Sequence, residues 1–178
     1  MNPEVEIWTD GSTYPANPGR GGWGAVIIGT AGKKQKIRVL SGVDKDSGDE
    51  STNNRTETLA VLMALNTLTA SNVHVQLYTD SASYVISGLK RLRYNRMPET
   101  HIDLWSSIKT VIHYKNIKLE YEHARGHAVS VMNEWADELA KAASKDGVVV
   151  DEIRDGPPRH LVERVQRRLE RIHGNTLS

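Results

Sequence analysis

The chain has 178 residues, of which 38% are hydrophobic and 25% charged, enough for one domain with a core and a short appendage. It contains no cysteine, no signal-peptide pattern and no apolar run of about 20 residues, so we expect a cytoplasmic protein without disulfides, thiolate metal sites or membrane contact. The net charge of +1 gives no global attraction to nucleic acid, and any such attraction has to come from local patches.

Two stretches are predicted to form strands that finish in the same way. Val5–Asp10 alternates two kinds of side chain, and residues 73–81 repeat the pattern. Each reaches a Thr-Asp pair followed by a small residue, at Asp10 and at Asp80. A hairpin-like segment and a helix separate them, so we expect parallel neighbours with both carboxylates at one edge of a sheet, where they repel each other unless a proton or metal ion intervenes. The alternative is that each Asp merely begins a turn.

A loop and two further strands are predicted between these stretches. Residues 13–22 are rich in glycine, proline and other residues that favour turns. Residues 23–28 and 35–40 are predicted strands, joined by a turn over residues 29–32. Three strands with short connections indicate an antiparallel meander.

The clearest helix is predicted over residues 54–68, which carry an apolar stripe at helical spacing. Glu57 shares the buried side near the helix start, where a carboxylate needs a partner. The alternative is a capping box between Asn54 and Glu57. Because a capping box does not explain why Glu57 faces the core, we treat this residue as a third candidate acid.

Helices and strands alternate over the following part of the chain. The predicted elements are helices over residues 81–92, 104–112 and 133–143 and a strand over residues 117–122. Asp80 or Ser81 is expected to cap the first of these helices, and Asp137 lies one turn into the last. The order predicts an α/β fold with a five-stranded mixed sheet, three antiparallel strands and then parallel ones, flanked by helices.

Residues 147–178 are expected to be an appendage to a main domain over residues 1–146. Residues 148–158 are predicted to be a linker, and residues 159–173 a short basic amphipathic helix. This helix is expected to dock on its own domain; a dimer contact or a basic arm for nucleic acid are the alternatives. We expect a monomer unless this helix mediates self-association.

Several motifs of this chain, taken together, resemble those of the type 1 ribonuclease H family. They occur in the family's order over residues 5–143, and their segments are 9–12, 17–19, 21–25, 52–57, 79–81, 126–128 and 133–140. Each motif alone is weak, and the signal comes from all of them together with the right elements between. The resemblance implies a ribonuclease H-like sheet and an endonuclease that hydrolyses the RNA strand of RNA–DNA hybrids, leaving 5′-phosphate and 3′-hydroxyl ends.

The resemblance also implies a metal site formed by four acids at the ends of elements: Asp10, Glu57, Asp80 and Asp137. They are expected to hold two Mg²⁺ ions, with Mn²⁺ as a substitute, and Asp10 is expected to bridge both ions. Two divalent ions would supply the activated water and the stabilised leaving oxygen that phosphodiester hydrolysis needs. Carboxylates without cysteine or histidine ligands suit Mg²⁺, which prefers oxygen.

Residues for proton transfer and substrate binding follow from the same resemblance. His127 is expected to assist proton transfer or product release, whereas His113 and His123 are interpreted as surface or structural residues. Asn17 is a candidate for sensing the 2′-hydroxyls of the RNA strand. The DNA strand would be held by Thr52, Asn53 and Asn54. The alternatives are an ordinary loop histidine at position 127 and asparagines that only cap the helix.

The basic handle of many bacterial members of this family is shortened here. Those members carry a long, tryptophan-rich basic segment between the second and third helices, but this chain has only residues 90–96 there, without tryptophan. Arg91 and Arg93 remain candidates for substrate binding. We therefore expect weaker or more salt-sensitive hybrid binding, for which the C-terminal arginine helix is a candidate compensation.

Three alternative functions remain open at this level. Another nuclease or recombinase of the same fold would share Asp10 and Asp80, but not the motifs at 53–57 and 127–137 together. A non-catalytic hybrid-binding module would be free to lose its acids, yet all four are present. A domain cut from a larger polymerase polyprotein is disfavoured by Met1 and the added C-terminal tail.

Overall fold

The computed structural model describes residues 4–31, 34–124 and 130–174. The strands in these ranges are β1 (Val5–Tyr14), β2 (Arg20–Ala31), β3 (Lys34–Val43), β4 (His74–Thr79), β5 (Lys118–His123) and β6 (Val150–Arg154). The α-helices are α1 (Asn53–Thr67), α2 (Ser87–Arg93), α3 (Ile102–Tyr114), α4 (Val131–Asp146) and α5 (Arg159–Gly174); a π-helical turn, Ala82–Ile86, leads into α2. None of the described helices is long and apolar enough to cross a bilayer.

The strands form one mixed sheet in the order β5–β4–β1–β2–β3–β6. The meander β1–β2–β3 is antiparallel, whereas β4 pairs in parallel with both β1 and β5. Thr9 lies opposite Thr79 in the β1–β4 register, so the two Thr-Asp pairs reach the same edge of the sheet. The predicted mixed α/β sheet flanked by helices is confirmed.

The sheet has six strands rather than the five predicted, because β6 lies within the expected linker. It pairs antiparallel with β3, with Val150 opposite Ser41. The Ser41 hydroxyl accepts a hydrogen bond from the Val150 backbone amide at 3.1 Å and donates one to the Val148 carbonyl at 3.0 Å. Most side chains of β6 are exposed, so burial leaves no pattern in its sequence, and pairing of backbone groups along the edge of β3 stabilises it instead.

Strand β1 is longer than predicted and does not end in a turn at Asp10. Its pairing with β4 stops at Thr9, but its pairing with β2 continues from Gly11 to Tyr14. The backbone therefore stays extended, because one neighbouring strand still satisfies its hydrogen bonds. Asp10 lies at the point where its parallel neighbour has ended, which leaves room for its side chain beside the residues that follow β4.

Each face of the sheet carries its own apolar core. Ile7 belongs to the core beneath α1, α2 and α3, which also contains the fully buried Trp105. Trp8 belongs to the core beneath α4 and α5, and its ring stacks on that of Tyr78 with 4.1 Å between centroids. Leu161 of α5 is fully buried in this second core, so the C-terminal helix docks on its own domain. Burial on both faces explains the near-continuous apolar sequence of β2.

Lys115, just after α3, closes the C-terminal end of α1. Its Nζ donates to the carbonyls of Leu65, Asn66 and Leu68 at 3.1, 2.7 and 2.6 Å. We expect Lys115→Met to lower the free energy of unfolding by about 1 kcal/mol, since these carbonyls lose a charged donor and water replaces it only in part. Urea denaturation measures this, with the exposed Lys90→Met as the matched control; equal midpoints for both variants would contradict the capping role.

Candidate active site

Three carboxylates from separate elements converge at the edge of the sheet. Asp10 comes from β1, Glu57 from the second turn of α1, and Asp80 directly follows β4. One carboxylate oxygen from each lies within 4.8 Å of the others. Asp10 is 7% exposed, Glu57 is half-buried and Asp80 is exposed, so the cluster opens from the sheet toward solvent. The structure therefore brings together three of the four acids singled out in the sequence.

Gly11 lets α1 lie directly against β1 at the cluster. A Cβ atom at Gly11 would lie 2.3 Å from the backbone nitrogen of Glu57 and 2.4 Å from the Thr56 hydroxyl. No larger residue fits this contact without a shift of α1. The direct backbone contact is what places the Glu57 carboxylate beside Asp10, and it explains why this acid faces inward.

An ion-pair network fixes the start of α1 from the other side. The Arg55 side chain, 11% exposed, donates to Asp44 at 3.0 Å and to Asp103 at 2.9 Å. The Asp44 carboxylate, 1% exposed, also accepts from the Ser51 hydroxyl at 2.6 Å. These contacts tie α1 to α3 and to the loop after β3, two residues before Glu57, and so restrain the helix turn that carries this acid.

Asp137 approaches the cluster on α4, which packs closely on β2. A Cβ atom at Gly24, the residue opposite Asp10 in the β1–β2 register, would lie 2.4 Å from the carbonyl oxygen of Ala136. The Asp137 carboxylate is not part of the 4.8 Å cluster and accepts a hydrogen bond from Lys141 at 2.8 Å. Its charge nevertheless raises the pKa of both Asp10 and Asp80, which places it within electrostatic reach.

Burial and mutual repulsion raise the pKa values of the three clustered acids. Burial raises the pKa of Asp10 well above its ordinary value, and repulsion by Asp80 and Asp137 adds to this. Loss of hydration and repulsion by Asp137 raise the pKa of Asp80, although the residue as a whole is exposed. Burial raises the pKa of Glu57 to about 7, against an opposing hydrogen bond from Ser81. Hard oxygen donors that repel each other suit a divalent cation such as Mg²⁺.

Glu57→Gln is expected to change the pH dependence of stability in metal-free protein. The pKa of Glu57 is about 7 in the folded chain and about 4.5 when unperturbed, so its ionised form destabilises the fold. This destabilisation is absent at low pH and grows as pH rises from about 4.5 to about 7. The stability difference between Glu57→Gln and the parent should therefore grow over this range, on the order of 2 kcal/mol.

Urea denaturation in the presence of a chelator, repeated from pH 5 to pH 8, measures this difference. Glu50→Gln is the control, because Glu50 is exposed at the end of a short 3-10 helix, Gly48–Glu50, that precedes α1. A difference that stays constant with pH would contradict the assigned environment of Glu57. Adding Mg²⁺ should reduce the difference by stabilising the parent at the higher pH.

Sequence reasoning missed the contacts that three residues make with the acids. Ser81 caps the helical segment that follows by accepting from Val85, as one of the two predicted caps, but its hydrogen bond to Glu57, which lowers the pKa of that acid, was not predicted. A ring nitrogen of His123, which was interpreted as a surface or structural residue, lies 3.0 Å from the Asp80 carbonyl oxygen. Lys141 pairs with Asp137 one turn away. The spacing of Lys141 was a usable signal, whereas the contact of His123 depends on the β4–β5 pairing.

The start of α1 is capped differently from the alternative considered in the sequence. Thr52 is the N-cap residue, and its side chain accepts from the Arg55 amide at 3.3 Å. The capping box between Asn54 and Glu57 is therefore wrong, because Asn54 already lies inside the helix and Glu57 belongs to the acid cluster. Asn54 is exposed, so its side chain remains accessible to a ligand.

Asn17 and Asn53 are brought together beside the β1–β2 loop. The backbone amide of Asn53 donates to the Asn17 side-chain oxygen at 3.2 Å. The Thr13 hydroxyl donates to the Asn53 side-chain oxygen at 2.9 Å. These contacts join the loop predicted to sense the RNA strand to the helix start predicted to hold the DNA strand. Both asparagines are thereby held in place rather than left as independent surface groups.

The remaining predicted binding residues lie elsewhere or outside the described ranges. Arg91 is exposed and donates to Glu99 at 3.3 Å and to the Met97 carbonyl at 3.4 Å. Arg93 is also exposed and lines an open groove of about 470 Å³ between α2, α3 and β5. His127 lies outside the described residues.

Comparison with known proteins agrees with this fold. The ribonuclease H family model matches residues 2–145, and the chain belongs to the ribonuclease H family of hydrolases. A ribonuclease H of Granulibacter bethesdensis is 39% identical over 153 residues, which cover 80% of this chain and 93% of the relative. The resemblance seen in the sequence motifs is confirmed.

Solved structures share the fold. LC9-RNase H1, described as a type 1 RNase H with the type 2 active-site motif, superposes with a TM-score of 0.69 at 21% identity, covering 88% of this chain and 79% of that one. LC11-RNase H1, solved in complex with an RNA/DNA hybrid, gives a TM-score of 0.55 at 23% identity, covering 78% of this chain and 98% of that one. Strand β6 and helix α5 lie beyond the part matched by the family model.

Proposed function

We propose that this ribonuclease H cleaves the RNA strand of RNA–DNA hybrids with two divalent ions, leaving 5′-phosphate and 3′-hydroxyl ends. The observation that carries the proposal is the convergence of Asp10, Glu57 and Asp80 within 4.8 Å. Carboxylates this close repel each other unless protons or cations lie between them. Divalent cations bound there would assist hydrolysis of a phosphodiester. Mg²⁺ is the proposed ion, with Mn²⁺ as a substitute.

The four acids and their neighbours have separate proposed roles. Asp10, the most buried of the clustered acids, would hold the ions together with Glu57, Asp80 and Asp137. Bound divalent ions supply Lewis acidity that activates a water molecule and stabilises the leaving oxygen. The ion pair with Lys141 at 2.8 Å holds the Asp137 carboxylate outside the cluster of the other three acids.

Substrate discrimination is assigned to the joined loop and helix start. Asn17 is proposed to contact the RNA strand, and Thr52, Asn53 and Asn54 the DNA strand, with support from the hydrogen bond that links Asn17 to Asn53. His127 is proposed to assist proton transfer or product release. We also propose that the protein acts as a monomer. A location in the cytoplasm is proposed as well, because the absence of cysteine fits a reducing compartment.

The test is incubation of the full chain with labelled RNA–DNA hybrid, duplex RNA and duplex DNA, each with Mg²⁺ and with chelator. We expect only the hybrid to be cut, only in its RNA strand, and only with metal. Ligation of the products would identify their 5′-phosphate and 3′-hydroxyl ends. Cleavage of duplex DNA would indicate another nuclease of the same fold, and an intact hybrid at all metal concentrations would overturn the proposal.

A further inference from the structure

Helix α5 is fixed to α4 by apolar burial and by ion pairs. Leu161 and Val165 are 0% and 5% exposed, and Leu161 lies in the core that also contains Trp135 of α4. Arg164 lies within 3.6 Å of both Glu134 and Glu138, outside that core. Both the depth of α5 and its rotation about its own axis are thereby set.

The ion pairs also define the direction of α5. His160, near its start, contacts Glu138 at 2.7 Å, whereas Arg168, two turns later, contacts Glu134 at 2.5 Å. Helix α5 therefore runs antiparallel to α4. Because Glu134 and Glu138 lie three residues before and one residue after Asp137, the paired flank of α5 lies beside the turn of α4 that carries this acid.

Charges on α5 are segregated around the helix axis. At about 100° per residue, one flank about 100° wide contains only basic and histidine side chains. Its members are His160, Arg164, Arg167, Arg168 and Arg171. The two acids of the helix have other partners within α5: Glu163 pairs with Arg159 at 2.7 Å, and Glu170 accepts from Gln166 at 3.4 Å.

This flank has an inner row and an outer row. Arg164 and Arg168 form the inner row and neutralise the acids of α4. Arg167 and Arg171 form the outer row, are exposed, and make no ion pair with any residue in the described ranges. They are four residues apart, so their side chains point the same way and about 5–6 Å separates their Cβ atoms.

We propose that Arg167 and Arg171 bind backbone phosphates of the nucleic-acid duplex cleaved at the acid cluster, and so extend the substrate surface beyond the family domain. The inference rests on the proposed function. Exposed guanidinium groups bind phosphate oxygens through paired N–H donors, and the cluster beside α4 acts on a phosphodiester. This surface would supply cationic contacts that the shortened segment at residues 90–96 lacks.

The test compares two double variants of the full chain in an Asp10→Asn background that prevents cleavage. One is Arg167→Gln with Arg171→Gln. The other, matched in charge, is Lys36→Gln with Arg154→Gln; both residues are exposed at the end of the sheet remote from Asp10. Binding of a fluorescent RNA–DNA hybrid is measured from about 50 to about 200 mM salt.

The α5 variant should bind on the order of tenfold more weakly at about 0.1 M salt, and its slope of log affinity against log salt should fall by about two. The matched variant should change affinity by less than about twofold, as expected from screening at this distance. Equal behaviour of the two double variants would overturn the inference. If the unmodified chain cleaves the hybrid but the α5 variant keeps the affinity and salt slope of the Asp10→Asn protein, the inference is wrong and the proposed function stands. If the unmodified chain neither binds nor cleaves the hybrid, both the inference and the proposed function are wrong.

Discussion

Replacing Asp10 with Asn should reduce cleavage of the hybrid by about 1,000-fold or more and leave hybrid binding nearly unchanged. Asp10 is the most buried of the clustered acids, and Asn keeps its size while removing the charge that a divalent cation requires. Loss of several kcal/mol of metal-dependent stabilisation of the transition state corresponds to this factor. Single-turnover cleavage and equilibrium binding, measured on the same hybrid, separate the two effects.

The same substitution should stabilise the metal-free protein at neutral pH. Burial and repulsion from Asp80 and Asp137 raise the pKa of Asp10 above its ordinary value, so the destabilisation it causes is absent below the ordinary pKa and grows as pH rises from that value towards the raised one. A higher Tm in chelator together with lost activity would exclude misfolding as the cause. Asp155→Asn, at an exposed position after β6, is the control and should change neither property. Full activity of Asp10→Asn would contradict the metal-site assignment.

Gly11→Ala is the second substitution expected to have a large effect, although it removes no functional group. The added Cβ would lie 2.3 Å from the backbone nitrogen of Glu57, so α1 has to move away from β1. Overpacking of this kind costs about 1–3 kcal/mol of stability. A displacement of about 1 Å between Glu57 and Asp10 should lower kcat by about 100-fold.

Gly29→Ala is the matched control, because no atom lies within 4 Å of its added Cβ on β2. Chemical denaturation and steady-state kinetics should show near-parental behaviour for Gly29→Ala and losses of both stability and kcat for Gly11→Ala. Unchanged kcat in a destabilised Gly11→Ala variant would show that the spacing of β1 and α1 does not control the site.

The parts of the site that sequence could predict are those set by strand pairing. Alternation of side chains and two Thr-Asp endings placed Asp10 and Asp80 at one edge, because parallel neighbours with a helical crossover bring equivalent positions together. Glu57 was found through its place on the buried side of a helix. These three signals are periodic and local, so one sequence suffices to read them.

Other features depend on contacts that leave no periodic trace. β6 is stabilised by the edge of β3 while its side chains stay mostly exposed, so it resembled a linker. The close approach at Gly11 follows from α1 packing, and the contact of His123 with the Asp80 carbonyl follows from the β4–β5 register. The orientation of the Asp137 carboxylate is set by Lys141 rather than by the cluster.

The burial of Leu161 limits where this chain can be truncated without exposing its core. The family match ends at residue 145, yet Leu161 fills a core that includes Trp8 and Val39 on the sheet. A shortened chain that stops at residue 146 would leave those side chains facing water and would lose the strand along β3. The end of the family match therefore does not coincide with the end of the packed core, and a deletion chosen from homology alone would confuse loss of nucleic-acid contacts with loss of core packing.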